Sequence, residues 1–127
     1  DATQRPRPNG EKLADLFKYI HINNRIAMAD ISTLEEGIKA KEAGADILST
    51  TLAGYTLESV NSPSKEPDFE LLKQLVETTK MPVVLEGRIW EPEQVNKAIE
   101  LGAHCVVIGS AITRPQLITK RFVFRNK

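Results

Sequence analysis

The sequence holds a single cysteine, Cys105, so it can form no internal disulfide. Cys105 sits within the apolar run His104 to Ile108, where a lone thiol is expected to be a small core residue. The lack of a cysteine framework fits a reducing, cytoplasmic setting. Neither charge is in excess: Lys plus Arg and Asp plus Glu number 17 each, which gives no electrostatic reason to expect nucleic acid or an anionic membrane as partner. No apolar stretch is long enough to cross a bilayer, and no signal-peptide pattern is present. No His, Cys, Asp or Glu group has metal-ligand spacing, so no metal is expected. The chain does not open with Met, and further sequence is expected upstream of Asp1.

What is present is globular. Apolar residues make up 41% and charged residues 27% of a 127-residue chain, the composition and size of one domain, residues 1–127. Helix-period segments alternate with short strand-type runs. Asn9 is placed to cap a helix with Leu13, Leu16, Phe17 and Ile20 on one face. Arg25 to Ala29 reads as a strand ending at Asp30. Ser32 with Glu35, and Thr33 with Glu36, both have capping-box spacing, and the helix they open stops at Gly44. Ile47-Leu48 starts a strand running to Thr50 or Thr51. A longer loop follows, with Gly54, Asn61, Ser62, Pro63, Ser64 and Pro67. Asp68 then caps a helix bearing Phe69, Leu72, Leu75 and Val76. Pro82 to Glu86 is the third strand, and Pro92 suits the first position of the helix after it. His104 to Ile108 is the fourth strand. A last helix enters at Thr113-Arg114-Pro115, with Leu117, Ile118 and Phe122 inward.

Strands alternating with helices imply right-handed crossovers and a parallel sheet. Val83-Val84-Leu85 and Cys105 to Ile108 are apolar without alternation, as strands buried on both faces are. Glu42-Ala43-Gly44-Ala45-Asp46-Ile47-Leu48 is echoed by Glu100-Leu101-Gly102-Ala103-His104-Cys105-Val106, an offset of 58 residues or two βα units. Such a period suits a parallel (β/α)8 TIM barrel, in which alternate strands share core layers. Four strands supply the last four βα units of such a barrel. A half-barrel alone leaves two strand edges and an apolar face open.

In this architecture the active site lies at the carboxyl ends of the strands. There stand Asp30, Thr50-Thr51, Glu86-Gly87-Arg88 and Gly109-Ser110. Asp30 could instead serve the start of the following helix, and Glu86 could pair with Arg88. Yet an acid flush against Val83-Val84-Leu85 is poorly placed for a bulk-exposed pair and well placed for acid–base work. Gly109-Ser110 and the helix behind Arg114 are suited to hold a phosphate by backbone N–H groups, the Ser110 hydroxyl and the Arg114 guanidinium. A tight turn explains Gly109-Ser110 equally well when the fold is set aside. Tyr55, in the long loop, could bind a sugar or pin the loop. Trp90 is expected to cover the helix start at Pro92, and neither His21 nor His104 is placed as a catalytic base.

Together these stretches resemble one family, the bacterial N-acetylmannosamine-6-phosphate 2-epimerases. The likeness is carried by Asp1-Ala2-Thr3-Gln4-Arg5-Pro6-Arg7-Pro8, Met28-Ala29-Asp30-Ile31-Ser32-Thr33, Gly44-Ala45-Asp46, Thr50-Thr51-Leu52-Ala53-Gly54-Tyr55-Thr56, Pro67-Asp68-Phe69, Glu86-Gly87-Arg88 and Gly109-Ser110-Ala111-Ile112-Thr113-Arg114-Pro115, in the family's order. The resemblance implies a (β/α)8 barrel that interconverts the 6-phosphates of N-acetylmannosamine and N-acetylglucosamine in sialic acid breakdown. It implies no metal and no organic cofactor, a phosphorylated N-acetyl amino sugar as partner, and a homo-oligomer for the full-length enzyme. Asp30 and Glu86 take the acidic site positions, and Arg114 the phosphate-binding arginine. Gly87, Arg88, Gly109, Ser110, Thr51 and Tyr55 complete the expected substrate contacts. The family's catalytic lysine belongs to the first half of the barrel, and no lysine here matches it. Catalysis by the isolated chain is therefore not expected. Two other readings compete. One is a different phosphosugar barrel, such as a ribulose-phosphate 3-epimerase-like enzyme. The other is a non-catalytic half-barrel that needs its N-terminal half.

Overall fold

The computed structural model describes residues 1–61 and 65–123; Ser62, Pro63 and Ser64 of the expected loop lie outside the described residues. Four parallel strands, β1 (Met28–Asp30), β2 (Ile47–Ser49), β3 (Val83–Glu86) and β4 (Cys105–Val107), form one sheet in the order β1-β2-β3-β4. Helices α1 (Leu13–Ile22), α2 (Leu34–Ala43), α3 (Phe69–Thr79) and α4 (Pro92–Glu100) alternate with them, and α5 (Ser110–Thr113) and α6 (Pro115–Phe122) close the order. Consecutive strands that are both neighbours and parallel are the arrangement of half a (β/α)8 barrel.

Local chemistry sets the element ends. Thr33 and Glu36 form a reciprocal capping box at the start of α2, and Gly44 ends it in the left-handed region (φ 105°). Ser32 is not a second cap: its N–H and hydroxyl both donate to Glu36 Oε2, at 2.8 and 2.6 Å. Asp68 caps α3 through the Leu71 N–H, and Pro92 opens α4. Asn9 does not cap α1. It adopts φ 58° within a 3₁₀ turn at Pro8–Gly10, and Lys12 precedes the helix with no side-chain cap. The expected single last helix is two, because Arg114 takes an extended conformation between Thr113 and Pro115, as the residue before a proline tends to do.

The register separates the two faces of the sheet. Met28 pairs with Ile47, Asp30 with Ser49, Ser49 with Val84, Val84 with Cys105 and Glu86 with Val107. Paired residues point the same way, so these side chains share one face, and Ala29, Leu48, Val83, Leu85 and Val106 share the other. The second face packs on the helices. Leu48, Leu72, Leu75, Val83 and Leu85 are fully buried there, and Val106 is packed against them. The first face is covered only in part: Ser49 and Val84 are buried at its middle, whereas Val107 is 40% and Met28 49% exposed toward its edges. The exposed open face and edges agree with the half-barrel expectation.

This corrects the reading of Cys105 as a core residue. Its thiol is exposed, because it lies on the open face of an edge strand. The expectation that β4 is buried on both faces fails for the same reason, whereas it holds for Val83 and Val84 of β3. Phe122 is not inward either: it is 78% exposed at the end of α6.

Asp46 ties the amino end of the sheet together. Its Oδ2 accepts from the Ala27 N–H at 2.7 Å and contacts His21 Nε2, on the last turn of α1, at 2.8 Å. The Ala27 N–H bond, then the bond to His21, hold its carboxyl below the ordinary value of 3.8. Among the described residues no helix is long and apolar enough to cross a membrane, and no cluster of three or more His, Cys, Asp or Glu could hold a metal.

Candidate active site

The site begins with what stops β3. Val83, Val84 and Leu85 are buried, and Glu86 is the last strand residue. Gly87 and Arg88 follow in the left-handed region, at φ 107° and 59°. Two such residues in succession turn the chain away from the sheet and leave the Glu86 side chain on its rim. Thr50 fixes the Glu86 backbone: its hydroxyl accepts from the Glu86 N–H at 3.1 Å and donates to the Glu86 carbonyl at 3.0 Å. A buried side chain thus continues the β2–β3 ladder past its last backbone pair.

Thr51 lies two residues after Ser49 and so on the same face. Its hydroxyl is 3.0 Å from Asp30 Oδ1 and 3.1 Å from Glu86 Oε2. Asp30 and Glu86, from β1 and β3, therefore meet through one hydroxyl supplied between them. The alternative roles are not taken up. Glu36, not Asp30, accepts at the start of α2, and among the described residues Glu86 and Arg88 form no ion pair.

Arg88 is engaged elsewhere. Its Nη1 donates to the Ala53 carbonyl at 2.9 Å, and its guanidinium lies 4.8 Å from the centre of the Tyr55 ring, a cation–π distance. The guanidinium rests against Gly54, in the space a β-carbon there would fill, and Gly54 itself has φ 79°. Arg88 thereby holds down the loop after β2 and sets Tyr55 at the mouth.

A cavity of about 280 Å³ opens between these loops. Thr51, Tyr55, Glu86, Gly87 and Arg88 line one side, and Gly109, Ser110 and Val107 another. Gly109 and Ser110 form the start of α5, whose first N–H groups have no partner within the helix. Asp30 reaches this cavity through Thr51 and does not line it. Arg114 does not line it either: it stands exposed at the α5–α6 junction.

Reading by residue type alone missed Ser49, and it placed Thr50 at the rim and Glu36 in a capping box without their supporting contacts. Buried Ser49 contacts the Thr51 hydroxyl at 2.7 Å. Glu36 accepts from the N–H groups of Ser32, Thr33 and Gln4, the last at 2.9 Å, and so binds the loop after Asp1 to the end of β1. A capping box was legible there. Its second use, as a buried carboxylate joining two loops, was not. Trp90 does stand at the start of α4, where its N–H donates to Gln94 Oε1, and Arg121 Nη2 donates to its carbonyl.

A family model described as "NanE: Putative N-acetylmannosamine-6-phosphate epimerase" matches residues 1–127. The chain is 61% identical over 122 residues to a "Putative N-acetylmannosamine-6-phosphate 2-epimerase" of Clostridium perfringens strain SM101, covering 96% of this chain and 54% of that protein. It is 51% identical over 123 residues to a protein of the same name from Clostridioides difficile strain 630, covering 97% and 54%. The solved structure of the N-acetylmannosamine-6-phosphate 2-epimerase from Clostridium perfringens matches with a TM-score of 0.89 at 60% identity, over 96% of this chain and 52% of that one. The chain thus spans about half the length of the relatives it matches. A thiamine phosphate pyrophosphorylase from Pyrococcus furiosus, at 24% identity and TM-score 0.61 over 83% of this chain and 48% of that one, shares the fold.

Proposed function

The chain belongs to the NanE family, and from that premise we propose that it supplies the C-terminal four βα units of a (β/α)8 enzyme interconverting N-acetylmannosamine 6-phosphate and N-acetylglucosamine 6-phosphate. The observation that carries this reading is the approach of Asp30 and Glu86 to one hydroxyl at the carboxyl rim of the sheet. Inverting C2 needs a proton removed from one face and one returned to the other. That proton is acidic only when C1 can become a carbonyl, so a site for this reaction needs acid–base groups beside a sugar pocket. Here Glu86 lines such a cavity and Asp30 reaches it through Thr51, and no other titratable pair is bridged on this rim among the described residues.

In this reading Glu86 acts as an acid/base group beside C2, or fixes the charge of a lysine from the first half of the barrel. Asp30 holds sugar hydroxyls or the acetamido group. The backbone at Gly87 and Gly109, the Ser110 hydroxyl and Arg114 hold the phosphate, and Arg88 and Tyr55 shape the sugar side of the cavity. Anchoring the phosphate uses remote binding energy to orient the reacting carbon. Arg114 is exposed at the α5–α6 junction, and this reading has it reach the phosphate from outside the cavity. The same reading places the protein in sialic acid breakdown in the cytoplasm, as a homo-oligomer at full length, with no nucleic-acid or membrane partner.

Steady-state kinetics on a full-length enzyme carrying these residues test it. Glu86→Gln should lower kcat about 10²–10⁴-fold with little change in KM, the range for one positioned acid/base group. Arg114→Ala should mainly raise KM for the 6-phosphate. Near-normal turnover in Glu86→Gln would remove Glu86 from the mechanism.

A further inference from the structure

Gly54 does not line the cavity, yet the two residues it separates from open space there, Tyr55 and Arg88, do. It has φ 79°, a conformation that residues with a side chain rarely adopt, and a β-carbon on it would overlap the Arg88 guanidinium. The loop around it has little room to step aside. The Gly54 N–H donates to the buried Ser59 hydroxyl oxygen at 2.8 Å, the Ala53 N–H to the Thr50 carbonyl at 3.0 Å and the Tyr55 N–H to the Leu52 carbonyl at 2.9 Å. The Thr56 hydroxyl donates to Ser32 Oγ at 2.8 Å and joins the loop to the segment before α2. Three successive residues are thus pinned by their backbone, and the rotatable end of Arg88 is the part that yields to an added methyl.

Arg88 arrives from the other side. Gly87 and Arg88 both have positive φ, and the side chain reaches from the end of β3 to the loop after β2. There its Nη1 donates to the Ala53 carbonyl at 2.9 Å, and its guanidinium carbon lies 4.8 Å from the centre of the Tyr55 ring. One planar group therefore meets a carbonyl, a bare α-carbon and an aromatic ring on consecutive residues. A guanidinium suits this and an ammonium does not, because only the former is a flat fork.

We propose that Gly54 is a positioning residue for the substrate cavity: the space at its α-carbon seats the Arg88 guanidinium, and the seated guanidinium backs the Tyr55 ring at the mouth. This rests on the reading of that cavity as the sugar-phosphate site. Tyr55 is 64% exposed, so its ring gains little orientation from packing and depends on this backing. When the seat is filled by a methyl group, Tyr55 is released, and the apparent affinity falls by the fraction of molecules in which the ring stays in place. One hydrogen bond and one cation–π contact together are worth about tenfold in that population.

Nitrogen-15 NMR of the arginine side chains reads the contact in the ligand-free full chain. In the unaltered chain the Arg88 guanidinium protons should lie upfield of those of free arginine, shifted by the Tyr55 ring current. Tyr55→Leu should return them to the free-arginine position, and Gly54→Ala should do the same with Tyr55 still present. Free-arginine positions in the unaltered chain, which needs no variant to fold, would overturn the proposal, as would upfield signals that persist in Gly54→Ala. Steady-state kinetics on a full-length enzyme carrying these residues read the consequence. Gly54→Ala should raise KM for the 6-phosphate about tenfold with kcat nearly unchanged. Arg88→Lys, which keeps the charge and loses the fork, should do likewise, and the pair together should be no worse than either alone, since both empty one seat. A normal KM in Gly54→Ala, effects that multiply in the double variant, or a loss confined to kcat would show that Gly54 does not act through Arg88 on binding and would overturn the proposal. An unaltered full-length enzyme that fails to turn over the 6-phosphate would refute the substrate reading, whereas the ligand-free spectra decide the seat by themselves, so the two fail separately.

Discussion

Replacing Glu36 by glutamine removes a charge and leaves the side-chain outline unchanged. The carboxylate is 1% exposed and accepts four hydrogen bonds: Oε2 takes the Ser32 N–H, the Ser32 hydroxyl and the Thr33 N–H, and Oε1 takes the Gln4 N–H. An amide has one oxygen. Placed toward Ser32 it keeps three bonds and turns its NH2 against the Gln4 N–H, two donors face to face. The three retained bonds fall from charge-assisted to neutral strength, about 1 kcal/mol each. Against this, a neutral amide is less costly to bury than a carboxylate, which returns part of the loss. The net expectation is a destabilisation of about 2 kcal/mol for Glu36→Gln. Glu36→Ala strips all four bonds from buried donors and should cost about 4 kcal/mol. Urea unfolding followed by circular dichroism reads both. With a slope of about 2 kcal/mol/M for a small domain, the glutamine midpoint should fall by about 1 M. A glutamine midpoint equal to wild type, or an alanine loss no larger than the glutamine loss, would refute the claim that these bonds hold the Gln4 loop to α2.

Further outcomes follow from single contacts. Gly37 on α2 faces Leu75 of α3, and a β-carbon there would overlap the Leu75 side chain; Gly37→Ala should destabilise the fold by about 1–3 kcal/mol in the same assay, the cost of overpacking. Asp46 has a depressed carboxyl, so its contribution is fully present above 3.8, the value for a free carboxyl, and is lost as pH falls through the lower folded value. Asp46→Asn should therefore be less stable than wild type at neutral pH, and the gap should narrow in acid; a gap constant down to pH 2 would contradict the assignment. Cys105 should react with a thiol reagent in the native chain nearly as fast as in urea, and strong native-state protection would show that the open face is covered in solution.

Much of this was legible from residue order. The Thr33–Glu36 box, Gly44, Asp68 and Pro92 mark helix ends by local chemistry, and each does so in the structure. Strands were expected longer than they are, because a strand lasts only as far as a neighbour pairs with it; Arg25 and Ile26 precede the first partner of β1. Cys105 and Phe122 were misplaced for one reason. An apolar pattern shows which side chains favour burial, not whether a neighbouring element is there to bury them. At the site, strand-end position was enough to assign Asp30, Thr51 and Glu86 to one rim. That Thr51 bridges them depends on the Asp30–Ser49 and Ser49–Val84 register, which spacing along the chain does not encode. That Arg88 turns to Ala53 and Tyr55 instead of Glu86 depends on its left-handed backbone.

Parallel pairing has a direction, and the two free borders of this sheet inherit it. Any strand that joins β1 or β4 in the same sense must run toward the rim where Asp30 and Glu86 stand, so its last residues arrive beside theirs. Covering the bare apolar surface and delivering new side chains to the pocket are then a single geometric event. A strand added at either border would therefore also bring its carboxyl-end residues to the rim beside Asp30 and Glu86.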